Sequence, residues 1–226
     1  MQTAVKDSVE QGKIRLLIVD DHPVFREGLV YSLQPHLNVE VIGEAEDVPS
    51  ARMLLSKLRP DLAILDISLK KGSGIDLIRD IRALLPDLPI LVFSMHDEML
   101  YAMRCLTAGA NGYLMKEAPT AKVVQAIKEI LGGSVYASEF VKQQMLSDVH
   151  SRGKTSSQDP VARLSNRELE IFHLIGQAYS TKQIAKKMGI SEKTVEIHRM
   201  HIKSKLMAGS FIEVVRLAVQ WVEQKS

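Results

Sequence analysis

The stretch Ile14-Arg15-Leu16-Leu17-Ile18-Val19-Asp20-Asp21 decides the fold: an apolar run of strand length that ends on two carboxylates. A strand with one wet face alternates apolar and polar residues. Leu16 to Val19 leaves no polar face, so this strand is expected to be covered on both sides. Further apolar runs follow at Val39–Ala45, Leu62–Leu65, 90–93 and Gly112–Met115. Amphipathic helical patterns separate them near residues 24–33, 48–58, 75–84, 98–108 and 120–131. Five strand–helix repeats of this kind predict an α/β domain, a five-stranded doubly wound parallel sheet with helices on both faces.

Gly132-Gly133 closes this domain, and the polar stretch 147–159 (SDVHSRGKTSSQD) reads as a flexible linker. The helical-looking segment 139–146 either extends that linker or packs as a short helix. The boundaries drawn are a loose polar tail over 1–13, an α/β domain over 14–134, a linker over 135–161 and an all-helical domain over 162–226. In that last part Ser165-Asn166-Arg167-Glu168 is a capping box that opens a helix running to about Gln177. A second helix runs from Thr181 to Met188 and stops at Gly189. Ser191 caps a third, to about Leu206, and Ser210-Phe211-Ile212-Glu213 repeats the capping box before a fourth, ending near Gln224. A tight Gly turn between the second and third helices predicts a helix-turn-helix unit.

The chain has 226 residues, 46% of them hydrophobic and 25% charged, as in ordinary globular proteins. No apolar run reaches the roughly 18 residues of a membrane span, and the N-terminus lacks the apolar core of a signal peptide. The single cysteine, Cys105, forms no internal disulfide, suits a reducing cytoplasm and is read as a buried structural thiol. Net charge is +2, but residues 161–226 hold 11 Lys/Arg against 6 Asp/Glu while the rest of the chain is slightly acidic. That asymmetry points to a polyanionic partner for the helical part.

Asp20 and Asp21 follow the first strand and Asp66 the third; with strand order 2-1-3-4-5 those strands are neighbours, flanking the crevice where ligands bind open sheets. Three converging carboxylates repel, and a divalent cation compensates them; hard oxygens favour Mg²⁺. The fourth strand ends in Ser94 and the fifth is followed by Lys116. A hydroxyl and an ammonium beside a carboxylate–metal cluster make a phosphoryl site. Any one of these residues alone is more simply a cap or turn residue; five at the correct strand ends are a signal.

Residues 14–133 resemble the receiver domain of response regulators, through Asp20-Asp21, Asp66, Ser94, Tyr113 and Lys116. The resemblance implies the flavodoxin-like receiver fold and Asp66 as phosphoacceptor. It also implies Mg²⁺ held by Asp21, Asp66 and the Ser68 carbonyl with Asp20 acting through water, Ser94 and Lys116 on the phosphoryl oxygens, and Tyr113 as a switch residue. The sequence departs from that pattern at Lys70, where the family often has proline, and at Met95, where many receivers carry a smaller residue. His22 and His96 are read as solvated or hydrogen-bonded rather than as zinc ligands. His96 stands where it could contact the water of dephosphorylation.

Leu164-Ser165-Asn166-Arg167-Glu168, Ile184-Ala185, the run Ser191 to His198 and Lys205-Leu206 resemble the LuxR-type helix-turn-helix. With the receiver in front, the chain is similar to the NarL/FixJ family over about residues 14–224. Ile184, Ala185 and Met188 form the apolar face of the scaffold helix, and Val195, Ile202 and Leu206 that of the recognition helix. His198 between them reads as packed or phosphate-bonding. The resemblance assigns Glu196, Ile197 and Met200, with Thr194, to base edges. Lys182, Lys193, Arg199, Lys203 and Lys205 are assigned to phosphates. Val214, Leu217, Ala218 and Trp221 share a face too large for the bundle, which suggests a dimer.

The implied function is a DNA-binding regulator of transcription, not an enzyme, phosphorylated by a sensor histidine kinase, dimeric when active, with RNA polymerase a candidate partner and no membrane role. Two other classes share parts of this pattern. An aspartyl-phosphate phosphatase needs a second carboxylate two residues after its nucleophile, and that position is Ser68. A LuxR-type sensor of a small ligand does not need the acidic site or Lys116.

Overall fold

The computed structural model describes residues 12–139, 141–143, 145 and 160–223, which fall in two compact units divided near residue 145. The N-terminal residues 1–11 and most of the expected linker lie outside the described residues. In the first unit, strands β1 (Ile14–Val19), β2 (Val39–Ala45), β3 (Leu62–Leu65), β4 (Ile90–Ser94) and β5 (Gly112–Met115) alternate with helices α1 (Pro23–Leu33), α2 (Val48–Lys57), α3 (Gly74–Leu84), α4 (Glu98–Ala108) and α5 (Thr120–Leu131). The sheet is parallel throughout, in the order β2-β1-β3-β4-β5, as the sequence predicts.

Burial follows from the apolar runs. Every residue of β3 and β4 is buried, and in β1 only Arg15 is not. The edge strand β2 is mostly half-exposed, consistent with its polar Glu40 and Glu44. One core face joins Leu16, Ile18, Ile64, Leu91 and Phe93 to Leu29 and Leu33 of α1 and Ile127 of α5. Burying side chains of this size contributes about 1.5–3 kcal/mol each.

The register does the functional work. Val19 pairs with Ala45 and Leu65, Leu65 with Val92, and Ser94 with Met115, so the strands end together. The ladder continues one residue on: Asp20 N–H donates to Ala45, Asp66 N–H to Val19 and Lys116 N–H to Ser94. The backbone therefore delivers Asp20, Asp66, Ser94 and Lys116 to one edge of the sheet.

The first unit continues beyond Gly133. Tyr136 bridges to Gly112, Ser138 N–H donates to Glu98, and Val141 is buried, with residues 139, 141–143 and 145 helical.

The second unit opens with a 3₁₀ turn, Pro160–Arg163, followed by α6 (Asn166–Gly176), α7 (Thr181–Met188), α8 (Glu192–Lys205) and α9 (Phe211–Glu223). The Ser165/Glu168 capping box forms, and a second box at Ser180/Gln183 opens α7. Ser210 accepts from Glu213 N–H, but the Glu213 carboxylate returns to Gly209 N–H instead of Ser210. Helices α6, α7 and α8 all end on a left-handed residue: Ala178, Gly189 and Met207.

Candidate phosphoryl site and nucleic-acid interface

Asp66 is buried, and its two oxygens are claimed separately. Oδ1 accepts from Ser94 Oγ at 2.6 Å and Ser68 N–H at 3.2 Å; Oδ2 accepts from Lys116 Nζ at 2.7 Å. Lys116 Nζ also stands 2.5 Å from Asp20 Oδ2 and 4.2 Å above the centre of the Phe25 ring. A buried ammonium between two buried carboxylates offsets much of their repulsion. Asp20 Oδ1 accepts from His22 N–H at 2.9 Å.

Asp21 completes the cluster: its ligand oxygen lies within 4.8 Å of those of Asp20 and Asp66 and of a His22 ring nitrogen. Asp21 Oδ1 is buried and only 2.8 Å from His22 Nδ1, yet in an orientation that makes no hydrogen bond. Lys116 thus supplies one positive charge to three carboxylates, one of which presents an unsatisfied oxygen. Hard oxygen donors in this number suit a small divalent cation. His22, mostly exposed, brings its ring Nδ1 to 3.2 Å from Asp20 Oδ1 within the cluster.

Around the site, Tyr113 donates its hydroxyl to the His96 carbonyl at 2.8 Å, and burial pushes its phenol well above the usual range. His96 meets Ser68 Oγ at 2.5 Å and packs on the Tyr101 ring. Met95 is exposed, and Lys70 pairs with Glu46. Gly74 approaches the Asp66–Ile67 backbone so closely that a Cβ would lie 2.3 Å from the Asp66 carbonyl oxygen. Cys105 is buried, and burial pushes its thiol up to about 12.

In the helical unit Ile184, Ala185, Val195, Ile202 and Leu206 are buried, as the pattern predicts, and Met188 is half-buried. Ser191 caps α8, accepting from Thr194 N–H at 3.0 Å, and its hydroxyl also meets that of Thr194. Lys182, Lys193, Glu196, Ile197 and Met200 are exposed, and Lys203 is half-buried. Two basic residues expected on phosphates are engaged inside the domain. Arg199 is half-buried, stacks 3.6 Å over Phe211 and binds Glu196 and Thr181. Lys205 reaches Glu168 Oε2 at 2.6 Å. Burial works against ionisation of Glu168, but hydrogen bonds from Lys205 and Ser165 outweigh it and hold the carboxyl below its usual range. On α9 Val214 and Ala218 are buried, while Leu217 and Trp221 are half-buried, Trp221 edge-on to Phe172. Among the described residues no helix is long and apolar enough to cross a membrane.

Comparison with known proteins agrees with this geometry. Residues 16–128 match the response regulator receiver domain, and residues 162–218 match the bacterial regulatory proteins of the luxR family. The oxygen regulatory protein NreC of Staphylococcus epidermidis is 36% identical over 217 residues, covering 92% of this chain and 97% of its own. The transcriptional regulatory protein DegU of Brevibacillus brevis is 30% identical over 234 residues, covering 97% and 99%. Among solved structures, RcsB of Salmonella enterica serovar Typhimurium, bound to promoter rprA with the phosphomimetic BeF3−, superposes with a TM-score of 0.56. It is 26% identical, and the match covers 91% of this chain and 98% of RcsB.

An acidic phosphoryl-type site on a parallel sheet, joined in one chain to a helix-turn-helix, defines a class of signal-controlled transcription regulators. The chain belongs to the two-component response regulators of the NarL/FixJ type, a receiver domain followed by a LuxR-type DNA-binding domain.

Proposed function

We propose that Asp66 is the phosphoacceptor of this regulator and that its phosphorylation by a sensor histidine kinase controls dimerisation and promoter binding. The observation that carries this reading is the separate engagement of the two Asp66 oxygens by Ser94 and Lys116. One carboxylate oxygen attacks phosphorus as the phosphohistidine P–N bond breaks. Lys116 and Ser94 then hold the phosphoryl oxygens, exchanging their present bonds to Asp66 for bonds to the new group. Asp21, Asp66 and the Ser68 carbonyl, with Asp20 acting through water, would hold Mg²⁺, which would supply charge neutralisation at the transferring group. Ser68, standing where a phosphatase would carry its second carboxylate, leaves no side-chain acid there to speed turnover.

The receiver spans 14 to about 143, taking in Tyr136 and the buried Val141, and the DNA-binding domain spans 162–226. Tyr113, tied to the His96 carbonyl of the loop after β4, reports the state of the site to that loop. The capped helix α8 enters the major groove as the second helix of such units does, and the similar RcsB is a promoter-binding protein. Thr194, Glu196, Ile197 and Met200 face base edges there, and Lys182, Lys193 and Lys203 take phosphates. Arg199 and Lys205 act chiefly by holding Glu196 and Glu168. The active form is a homodimer that works in the cytoplasm, with RNA polymerase a further partner.

The test is DNA affinity at fixed salt for wild type and Asp66→Asn, with and without acetyl phosphate and Mg²⁺. Donor-dependent tightening in wild type alone supports the reading. Equal, donor-independent affinities in both proteins refute it.

A further inference from the structure

The helical domain carries a cluster that DNA recognition does not use. His198 and His201 lie three residues apart on α8 and so share one helix face. That face meets Glu168 at the start of α6, which is 4% exposed. His201 Nδ1 stands 3.8 Å from Glu168 Oε1, and one ligand atom from each of the three residues lies within 4.8 Å of the others. The His198 and His201 rings are nearly perpendicular, 6.5 Å apart. His198 Nδ1 is buried and has no hydrogen-bond partner among the described residues. A desolvated ring nitrogen without a partner is unfavourable, and folded proteins usually satisfy it with a donor, a water or an ion.

We infer that Glu168, His198 and His201 form a site for a divalent transition cation of the zinc type, pinning the recognition helix α8 to α6. Two imidazoles and one carboxylate are a donor set for zinc and not for magnesium. Zinc bonds of about 2.0–2.2 Å place tetrahedral ligand atoms roughly 3.3 Å apart, so modest side-chain rotation closes the present spacing. The fourth position is left to water. Glu168 Oε2 already accepts from Lys205 and from Ser165 N–H, which fixes the carboxylate with Oε1 towards His201. The sequence alone reads His198 as packed or phosphate-bonding rather than as a metal ligand, because Glu168 is thirty positions earlier and only the α6–α8 contact unites them.

The site is tested on the untagged full chain, stripped of metal, by titration with zinc chloride in excess Mg²⁺. Wild type is compared with His201→Asn and Asp21→Asn. His201 is exposed, so its replacement leaves the capping of α6 by Glu168 intact. The expected result is one zinc equivalent present in wild type and Asp21→Asn but missing in His201→Asn. Zinc is also expected to raise the melting temperature of the helical domain in the first two proteins only. Zinc lost in Asp21→Asn and retained in His201→Asn belongs to the receiver pocket and overturns the inference. Identical isotherms in all three proteins, or no zinc bound, overturn it equally.

Discussion

Adding one methyl group at Gly74 and one at Gly28 should have opposite effects on the same domain. At Gly74, the first residue of α3, a Cβ would lie 2.3 Å from the Asp66 carbonyl oxygen and 2.7 Å from Ile67 Cα, where ordinary contact begins at 3.4 Å. The Asp66 backbone must therefore withdraw by about 1 Å, and overpacking of this kind costs about 1–3 kcal/mol. Alanine returns at most about 1 kcal/mol of helix propensity, less at a helix terminus. Gly28 is exposed in the middle of α1 with nothing within 4 Å of an added Cβ. Alanine there stabilises by up to about 1 kcal/mol, so the two variants should differ by roughly 2–3 kcal/mol. Urea unfolding of the receiver measures that gap. The initial rate of phosphorylation by acetyl phosphate reads the site itself, where a 1 Å misplacement is worth on the order of a hundredfold. Gly74→Ala should be slow and Gly28→Ala close to wild type. A Gly74→Ala protein with the wild-type urea midpoint and the wild-type rate would show that the close approach of α3 does not hold Asp66 in place.

Lys116→Met strands two buried carboxylates and should destabilise the metal-free receiver by about 3–5 kcal/mol; Mg²⁺ should then raise its melting temperature more than that of wild type, and equal shifts would contradict the counterion role. Cys105, with its thiol pushed up to about 12 by burial, is protonated at pH 8 and should react with iodoacetamide only on unfolding; rapid labelling of the native chain would refute its burial. Lys193→Ala should weaken operator binding and lower the salt-dependence slope by about 1, whereas Arg199→Ala should lower the melting temperature of the helical domain with little change in slope. Ala178→Gly and Met207→Gly relieve left-handed backbone and should each stabilise that domain by about 1 kcal/mol in thermal unfolding; a loss in both would show the strain to be absent.

The elements that sequence located well are those with a strong local cause. Leu16 to Val19 fits a doubly covered strand because it leaves no polar face, and the Ser165/Glu168 box marks the start of α6 within its own four residues. The site was legible for a related reason: parallel strands in register end together, so an acid after β1 and another after β3 must meet. What stayed hidden depends on contacts distant in sequence. Tyr136 continues the first unit past Gly133 by bridging to Gly112, which no local pattern announces, whereas the buried Val141 falls in the helical-looking segment 139–146 that the sequence leaves open between linker and packed helix. The turns that end α6 and α8 carry no glycine signal, because Ala178 and Met207 adopt the left-handed conformation there.

Charge counting in the helical domain illustrates the same division. Five basic residues near α8 look equivalent in sequence, but a cation serves DNA only if no nearer anion or ring holds it. Lys182 and Lys193 are exposed, whereas Arg199 is fixed by Phe211, Thr181 and Glu196, and Lys205 by Glu168. The consequence reaches specificity. Glu196 would repel a phosphate backbone if left mobile, but its bonds to Arg199 and Thr181 neutralise it and fix its direction. A fixed carboxylate can accept from the amino group of cytosine while its charge is already balanced. On the proposed placement of Glu196 at a base edge, Arg199 contributes to base reading through Glu196, and the basic excess of this domain overstates the number of cations free for phosphates.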